Sequence, residues 1–349
     1  MGPLLAFSAA FLGTALMIPA ARRGGLIDRA APGEEFRKPH REPVALVGGL
    51  ALALAALVTS WPAMGFEPQL TVAQSRTELS PTAAAAGVAL LALFLGQLDD
   101  RLHHRRHRIG RLLLALPTRL GASGILGLGA GLANGHAVLS DPGQALFWVG
   151  AGLLVGASVA TYDHADGLAG GLGLAALWFP SPTLAAACLG FLPWNFSWRP
   201  RLFKPGTEAA AAQSEASGLP PGSGRPPPAY LGNAGSSLLG AWILLTPAAW
   251  PALVVPLADV TRVSFLRLAA GRRPWSGDRC HLGHRLLACG FTPLSVAVMC
   301  TAASLPAVLA AALRPASQPF LWGGIVGSLA AYGFLLLVTP RLLPDGRAA

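Results

Sequence analysis

Long runs without a single charged side chain constrain this chain more than any other feature. Residues 1–21, 44–66, 79–98, 120–140, 142–162, 167–198, 232–258, 286–313 and 315–340 contain no Asp, Glu, Lys or Arg. About 20 apolar residues are enough for a helix to cross the hydrocarbon core of a bilayer. Only 12% of the residues are charged, against about 25% in a soluble domain. The fold class expected is therefore all-α, a polytopic helical bundle in the membrane. Spans are placed at 3–21, 44–63, 82–98, 112–131, 145–162, 167–180, 182–196, 233–249, 251–268, 290–313 and 319–340, which makes 10–11 transmembrane helices depending on how 167–196 divides. The first run lacks a basic segment ahead of it and is followed by Arg22 and Arg23, so it reads as a span and not as a cleaved signal peptide.

The charges that remain are distributed unevenly. With the N-terminus outside and the spans alternating, every Lys and Arg except Arg76, Arg119 and Arg314 falls in the inside segments 22–43, 99–111, 197–231, 262–286 and 341–349. That is the positive-inside pattern. It accounts for the net charge of +10 through topology and anionic lipid head groups, and it removes the argument for a nucleic-acid partner. Cys188, Cys280, Cys289 and Cys300 show no metal-ligand spacing and read as reduced thiols. The tract 205–229 is rich in Pro, Gly, Ala and Ser and reads as a disordered cytoplasmic insertion. The remainder of 1–340 reads as one transmembrane domain, with 341–349 as a short cytoplasmic tail.

Acids and histidines gather on the same inside face. "QLDDRLHHR" carries Asp99 and Asp100, "TYDHADG" carries Asp163, His164 and Asp166, and "SGDRCHLGHR" carries Asp278, Arg279, His281 and His284. Of the eight histidines only His136 falls outside. Carboxylates crowded together repel unless one is protonated or a cation joins them. Hard oxygen donors suit Mg²⁺, which uses one or two carboxylates and leaves room for phosphate oxygens. Basic groups beside them would clamp a pyrophosphate. Each motif alone has a plainer reading as a solvated helix end or loop, and it is their convergence that points to phosphoryl transfer. Asp259, within the span "VVPLADVTRV", stands apart, because an acid inside a membrane is costly. A transporter would place acids near the middle of several spans, whereas here most lie at span ends.

With those residues identified, the chain resembles the polyprenyl-phosphate N-acetylhexosamine-1-phosphate transferases, integral membrane enzymes that include phospho-MurNAc-pentapeptide transferase. The resemblance runs from about residue 24 to residue 293 through ordered motifs: "FRKPHREPVALVGGLAL" with Lys38 and His40, "LGQLDDR", "YDHADGLAGG", "GFLPWNF" ending near Asn195, "YLGNAGSSLLG", and the loop ending in "HLGH".

The resemblance implies transfer of N-acetylhexosamine-1-phosphate from a UDP-N-acetylhexosamine to polyprenyl phosphate, with UMP released, for cell-wall or surface-polysaccharide precursors. It implies a multi-pass protein of the bacterial inner membrane with its site on the cytoplasmic face, in contact with membrane lipid, and allows a homodimer. It implies Mg²⁺ as the cofactor, with Mn²⁺ as an alternative ion, held by Asp163, Asp166 and Asn233. It gives a catalytic role to Asp99 or Asp100, by direct attack or through a covalent intermediate. It gives substrate binding to Lys38, His40, Asn195, Asp278, Arg279, His281 and His284. The departures from the motifs are that Asn233 stands where the family has aspartate, Ala160 where it has asparagine, His164 where it has glycine, and Gly283 where it has the middle histidine of HxHH. The alternative they raise is a catalytically impaired relative that binds polyprenyl phosphate or a partner glycosyltransferase.

Overall fold

A computed structural model describes residues 1–28, 43–60, 81–103, 116–196, 227–276, 278–313 and 317–341 of the chain. The described helices are α1 (Gly2–Gly24), α2 (Gly48–Ser60), α3 (Pro81–His103), α4 (Leu116–Ala133), α5 (Pro142–Tyr162), α6 (Leu168–Leu177), α7 (Pro182–Phe191), α8 (Gly232–Leu244), α9 (Val254–Ala269), α10 (Leu282–Ala288), α11 (Pro293–Leu313) and α12 (Gln318–Leu337). Short 3₁₀ turns at Leu192–Asn195 and Pro247–Leu253 extend α7 and lead into α9. A helix lies in each of the eleven expected spans. Five of them, α1, α3, α5, α11 and α12, are long and apolar enough to cross a bilayer. The molecule is a multi-pass membrane protein.

The helices at 167–196 are shorter than spans. α6 and α7 have 10 residues each, which is about 15 Å of rise against a hydrocarbon core of about 30 Å. They form a hairpin that turns at Trp178–Ser181. Nine residues of "LAGGLGLAAL" in α6 are buried, and a helix that is apolar on all sides and built of small residues suits the centre of a bundle. Around it the core runs through Trp148, Val155, Leu172, Phe191, Leu239, Ile243 and Leu253. Large apolar side chains such as Leu16, Phe94, Leu146, Leu154, Trp322 and Phe334 are exposed on the outer helices, as a lipid-facing surface requires. Asp141 caps α5 by accepting from the N–H groups of Gly143 and Gln144, which starts that helix at Pro142.

One feature departs from the sequence reading. Residues 44–46, placed inside a span, form a strand. β1 (Ile27–Asp28), β2 (Val44–Leu46) and β3 (Ala229–Tyr230) make a small sheet in the order β1-β2-β3, antiparallel and then parallel. Their registers pair Ile27 with Ala45 and Ala45 with Ala229. The segment is extended because its partners lie elsewhere in the chain, not because of any period within it. Ala229, the last residue of the Pro/Gly-rich tract, is buried in β3. Residues 205–226 of that tract, 342–349 of the tail, and Lys38 and His40 lie outside the described residues. None of the four cysteines forms a disulfide.

Candidate functional site

The sheet, the C-terminal ends of α3 and α5, the N-terminal end of α8 and the 270–284 loop meet at one end of the bundle. α3 reaches α8 at Gly96, where a Cβ would fall 2.5 Å from Ala234 Cα. This close approach delivers Asp100 to the first turn of α8. Asp100 Oδ1 accepts from Asn233 N at 2.9 Å, and Oδ2 accepts from Ala234 N at 3.1 Å. The carboxylate, 4% exposed, therefore closes a helix N-terminus from another helix, where both its charge and its lone pairs are favoured. Gly232 must be glycine twice over: its φ is 72°, and a Cβ would lie 2.9 Å from Asp100 Oδ2. Asp99, next in sequence, is only partly buried.

Asp163 sits at the end of α5 and accepts a 2.5 Å hydrogen bond from Ser236 Oγ, one turn into α8. Burial pushes the Asp163 carboxyl up to about 7; the Ser236 bond opposes this, and Asp100 and Asp166 add to it. Asp100 and Asp166 each lie close enough to Asp163 to act on its charge. Tyr230 of β3 belongs to the same group: burial and then Asp166, Asp28 and Asp163 raise its phenol. Among the described residues no set of three or more His, Cys, Asp or Glu side chains is arranged to hold a metal unaided. Mg²⁺ does not require one where substrate phosphates complete the shell. Asp163 and Asp166 are the oxygen donors that could share such an ion with substrate phosphates.

Asn195 is 3% exposed and committed to the fold. Its Oδ1 accepts from Gly167 N at 2.8 Å and its Nδ2 donates to Ala229 O at 3.1 Å. It ties the turn that carries Asp166 to the strand that leads into α8. Asp278 is committed likewise. It accepts from Arg267 Nε at 2.7 Å and from Cys280 N at 2.9 Å. Burial works against its ionisation, yet the Arg267 hydrogen bond and the Cys280 N–H hold it below the usual carboxylate value. Arg279 is partly buried on the same loop and acts electrostatically on His284.

The histidines stand on a buried polar network that starts in the membrane. Asp259, 1% exposed, accepts from His281 Nδ1 at 2.8 Å, Leu282 N at 3.1 Å, Arg262 Nη2 at 2.9 Å and Tyr332 Oη at 3.0 Å. Arg262 also donates to Tyr332 Oη and to the carbonyl of Cys280. His281 Nε2 faces Arg267 Nη2 at 3.4 Å. Since a guanidinium can only donate, that nitrogen is the acceptor and Nδ1 carries the proton toward Asp259. The acid singled out in the span is therefore the group that orients His281. Arg285 donates to the carbonyls of Leu336, Thr339 and Pro340 and so anchors the end of α12 beside this network. His284 packs beside His164, with ring centroids 4.8 Å apart. Burial, then the His164 and His281 rings and Arg279, keep its imidazole well below the ordinary value.

Asp100, Asp163, Asp166 and Asn233 come together, as do His281 and His284, whereas Asn195 and Asp278 serve the scaffold that holds them. Sequence reasoning missed Ser236, Tyr230, Asp28, Arg262, Arg267 and Tyr332. Ser236 had a signal, its place one turn after Asn233 in the same motif; the others had none.

The fold and this site define a class: a polytopic membrane protein that buries polar residues at one end of its bundle. Comparison with known proteins narrows it. The chain is 26% identical to the undecaprenyl-phosphate α-N-acetylglucosaminyl 1-phosphate transferase of Escherichia coli K12, covering 81% of this chain and 75% of that protein. It is 29% identical to the decaprenyl-phosphate N-acetylglucosaminephosphotransferase of Mycobacterium leprae, covering 75% and 71%. It is 30% identical to its Mycobacterium tuberculosis counterpart, covering 73% and 68%. No family model matches the chain. At this identity and coverage the chain belongs to the polyprenyl-phosphate N-acetylglucosamine-1-phosphate transferase family.

Proposed function

We propose that this protein transfers an N-acetylhexosamine-1-phosphate from its UDP-sugar to a polyprenyl phosphate, releasing UMP, at the cytoplasmic face of a bacterial inner membrane. The observation that carries the reading is the meeting of Asp163 and Asp166 with the Asp100-capped N-terminus of α8 and the His281–His284 loop. Acids and imidazoles gathered at one end of a bundle made for lipid support that reading. Phosphoryl transfer needs little covalent help from a protein. Its barrier falls mainly through positioning and neutralisation of charge.

In this reading Asp163 and Asp166 hold Mg²⁺, or Mn²⁺ in its place, together with the donor pyrophosphate, and the ion would neutralise charge developing on the phosphates. The Asn233 side chain could supply a neutral oxygen, and its backbone N–H keeps Asp100 in place. Asp100, with both oxygens occupied by α8, anchors the site. Asp99, the more exposed member of the pair, faces the acceptor phosphate. His281, Arg279 and His284 lie on the side of the donor. Lys38 and His40, as the sequence motif suggests, complete the substrate contacts. The reaction tests the reading directly: membranes or purified protein are given labelled UDP-N-acetylglucosamine, polyprenyl phosphate and Mg²⁺. Lipid-linked product that disappears on chelation supports it. No product from a panel of UDP-sugars would refute it and favour the lipid-binding relative without catalysis.

A further inference from the structure

Two of the departures from the family's motifs touch each other. His164 stands where glycine is expected and Gly283 where histidine is expected, on segments more than a hundred residues apart. A Cβ built on Gly283 would lie 2.5 Å from His164 Nε2 and 2.9 Å from Leu168 Cδ1. No side chain can be added at 283 while His164 keeps its place. The His164 ring stacks on His281 with centroids 4.7 Å apart and planes 25° from parallel, and it packs against His284 at 4.8 Å. Its Nδ1 lies 2.8 Å from the carbonyl of Thr161. A carbonyl can only accept, so this contact fixes the ring from within its own segment.

Packing alone does not explain the choice of residue. His164 Nε2 is enclosed and has no hydrogen-bond partner, which ordinarily costs stability. An apolar ring would fill the same space without that cost. The chain keeps an imidazole where the fold uses only one of its two ring nitrogens.

We propose that His164 is a positioning residue of the donor site, supplying from the α5–α6 turn the imidazole that Gly283 leaves out of the 281–284 loop. Its ring packs on His281 and His284 and so holds the loop at the angle from which His284 meets the donor pyrophosphate. The two substitutions are then a reciprocal exchange: one imidazole, carried by a different backbone. This rests on the transferase reading above, and it weakens the case that the two departures mark a lost activity.

The experiment is an exchange cycle on the full-length protein in detergent: His164→Gly, Gly283→His, both together, and His164→Gly with Gly283→Leu as a control that restores volume without an imidazole. Melting temperature, KM for UDP-N-acetylglucosamine and kcat are measured for each. Each single substitution should lower kcat/KM by about tenfold, the lower end of what loss of an outer-shell partner costs a site. The His164→Gly/Gly283→His pair should recover to within about threefold of the parent, most of the change lying in KM, because an exchanged pair in contact is strongly non-additive. The leucine control should recover melting temperature but not KM. The proposal is overturned if the exchanged pair is no better than the product of the single effects, or if the leucine control restores KM equally well. A parent protein that neither binds nor turns over any UDP-sugar would overturn the transferase reading and the positioning role with it. That outcome is visible in the parent alone, before any variant is made.

Discussion

Replacing Asp259 by Asn changes one atom and should destabilise the protein out of proportion to that change. The Asp259 side chain is 2% exposed and pairs with Arg262, whose side chain is 21% exposed. Removing one member of a buried ion pair costs about 3–5 kcal/mol, because the remaining charge is stranded. Arg262 keeps Tyr332 Oη and the Cys280 carbonyl as acceptors, which argues for the lower end, about 3 kcal/mol. A second consequence is local. Asn has one acceptor oxygen where the carboxylate used two, and its NH₂ would face either the His281 Nδ1–H or the Arg262 guanidinium. If it faces His281, the imidazole must move its proton to Nε2, where Arg267 Nη2 already points at 3.4 Å. The loop carrying His281 and His284 is then misoriented even where the protein remains folded. Equilibrium unfolding by SDS titration in mixed micelles reads the first effect, and KM for the UDP-sugar the second. A double substitution, Asp259→Leu with Arg262→Met, removes the stranded charge and should regain only part of the stability and none of the KM, because His281 Nδ1, Leu282 N and Tyr332 Oη still lose their acceptor. An Asp259→Asn protein within about 1 kcal/mol of the parent would refute the reasoning, since that is the worth of an exposed pair.

The paired aspartates should separate by role: Asp100→Asn leaves a backbone N–H of α8 facing an amide and should cost about 1–3 kcal/mol in unfolding, whereas Asp99→Asn should lose turnover. An Asp100→Asn protein as stable as the parent, or an Asp99→Asn protein with full turnover, would refute the assignment. Mg²⁺ added with UDP should raise the thermal stability of the parent, and Asp163→Asn should abolish that rise; a rise that persists in the variant would place the ion elsewhere. For pH, the folded Asp278 carboxyl lies below its ordinary value, so the Arg267 pair contributes stability above the usual carboxylate range. That contribution is lost as the pH falls through the lowered folded value. Acid unfolding followed by fluorescence should show a component that disappears in Asp278→Asn, and an unchanged acid limb would refute it.

The sequence by itself determined the bundle, because the cost of placing a charge in hydrocarbon is local and one-dimensional. Charge-free runs locate the helices without reference to any tertiary contact. The clustering of Asp163, Asp166, His281 and His284 was legible for the same reason: polar residues are excluded from the spans and collect at their ends. The sheet was not legible, since Val44–Leu46 is extended only because Ile27 and Ala229 flank it. The roles of Asn195, Asp278 and Asp100 were decided by tertiary structure alone, through hydrogen bonds to backbone groups far along the chain. Asp259 was legible as costly, but its purpose, to hold His281, depended on a partner 22 residues away. His164 and Gly283 show the limit most clearly. Read along the chain they are two separate losses, and in three dimensions they are one contact, because only folding brings an imidazole from one turn over the bare backbone of another.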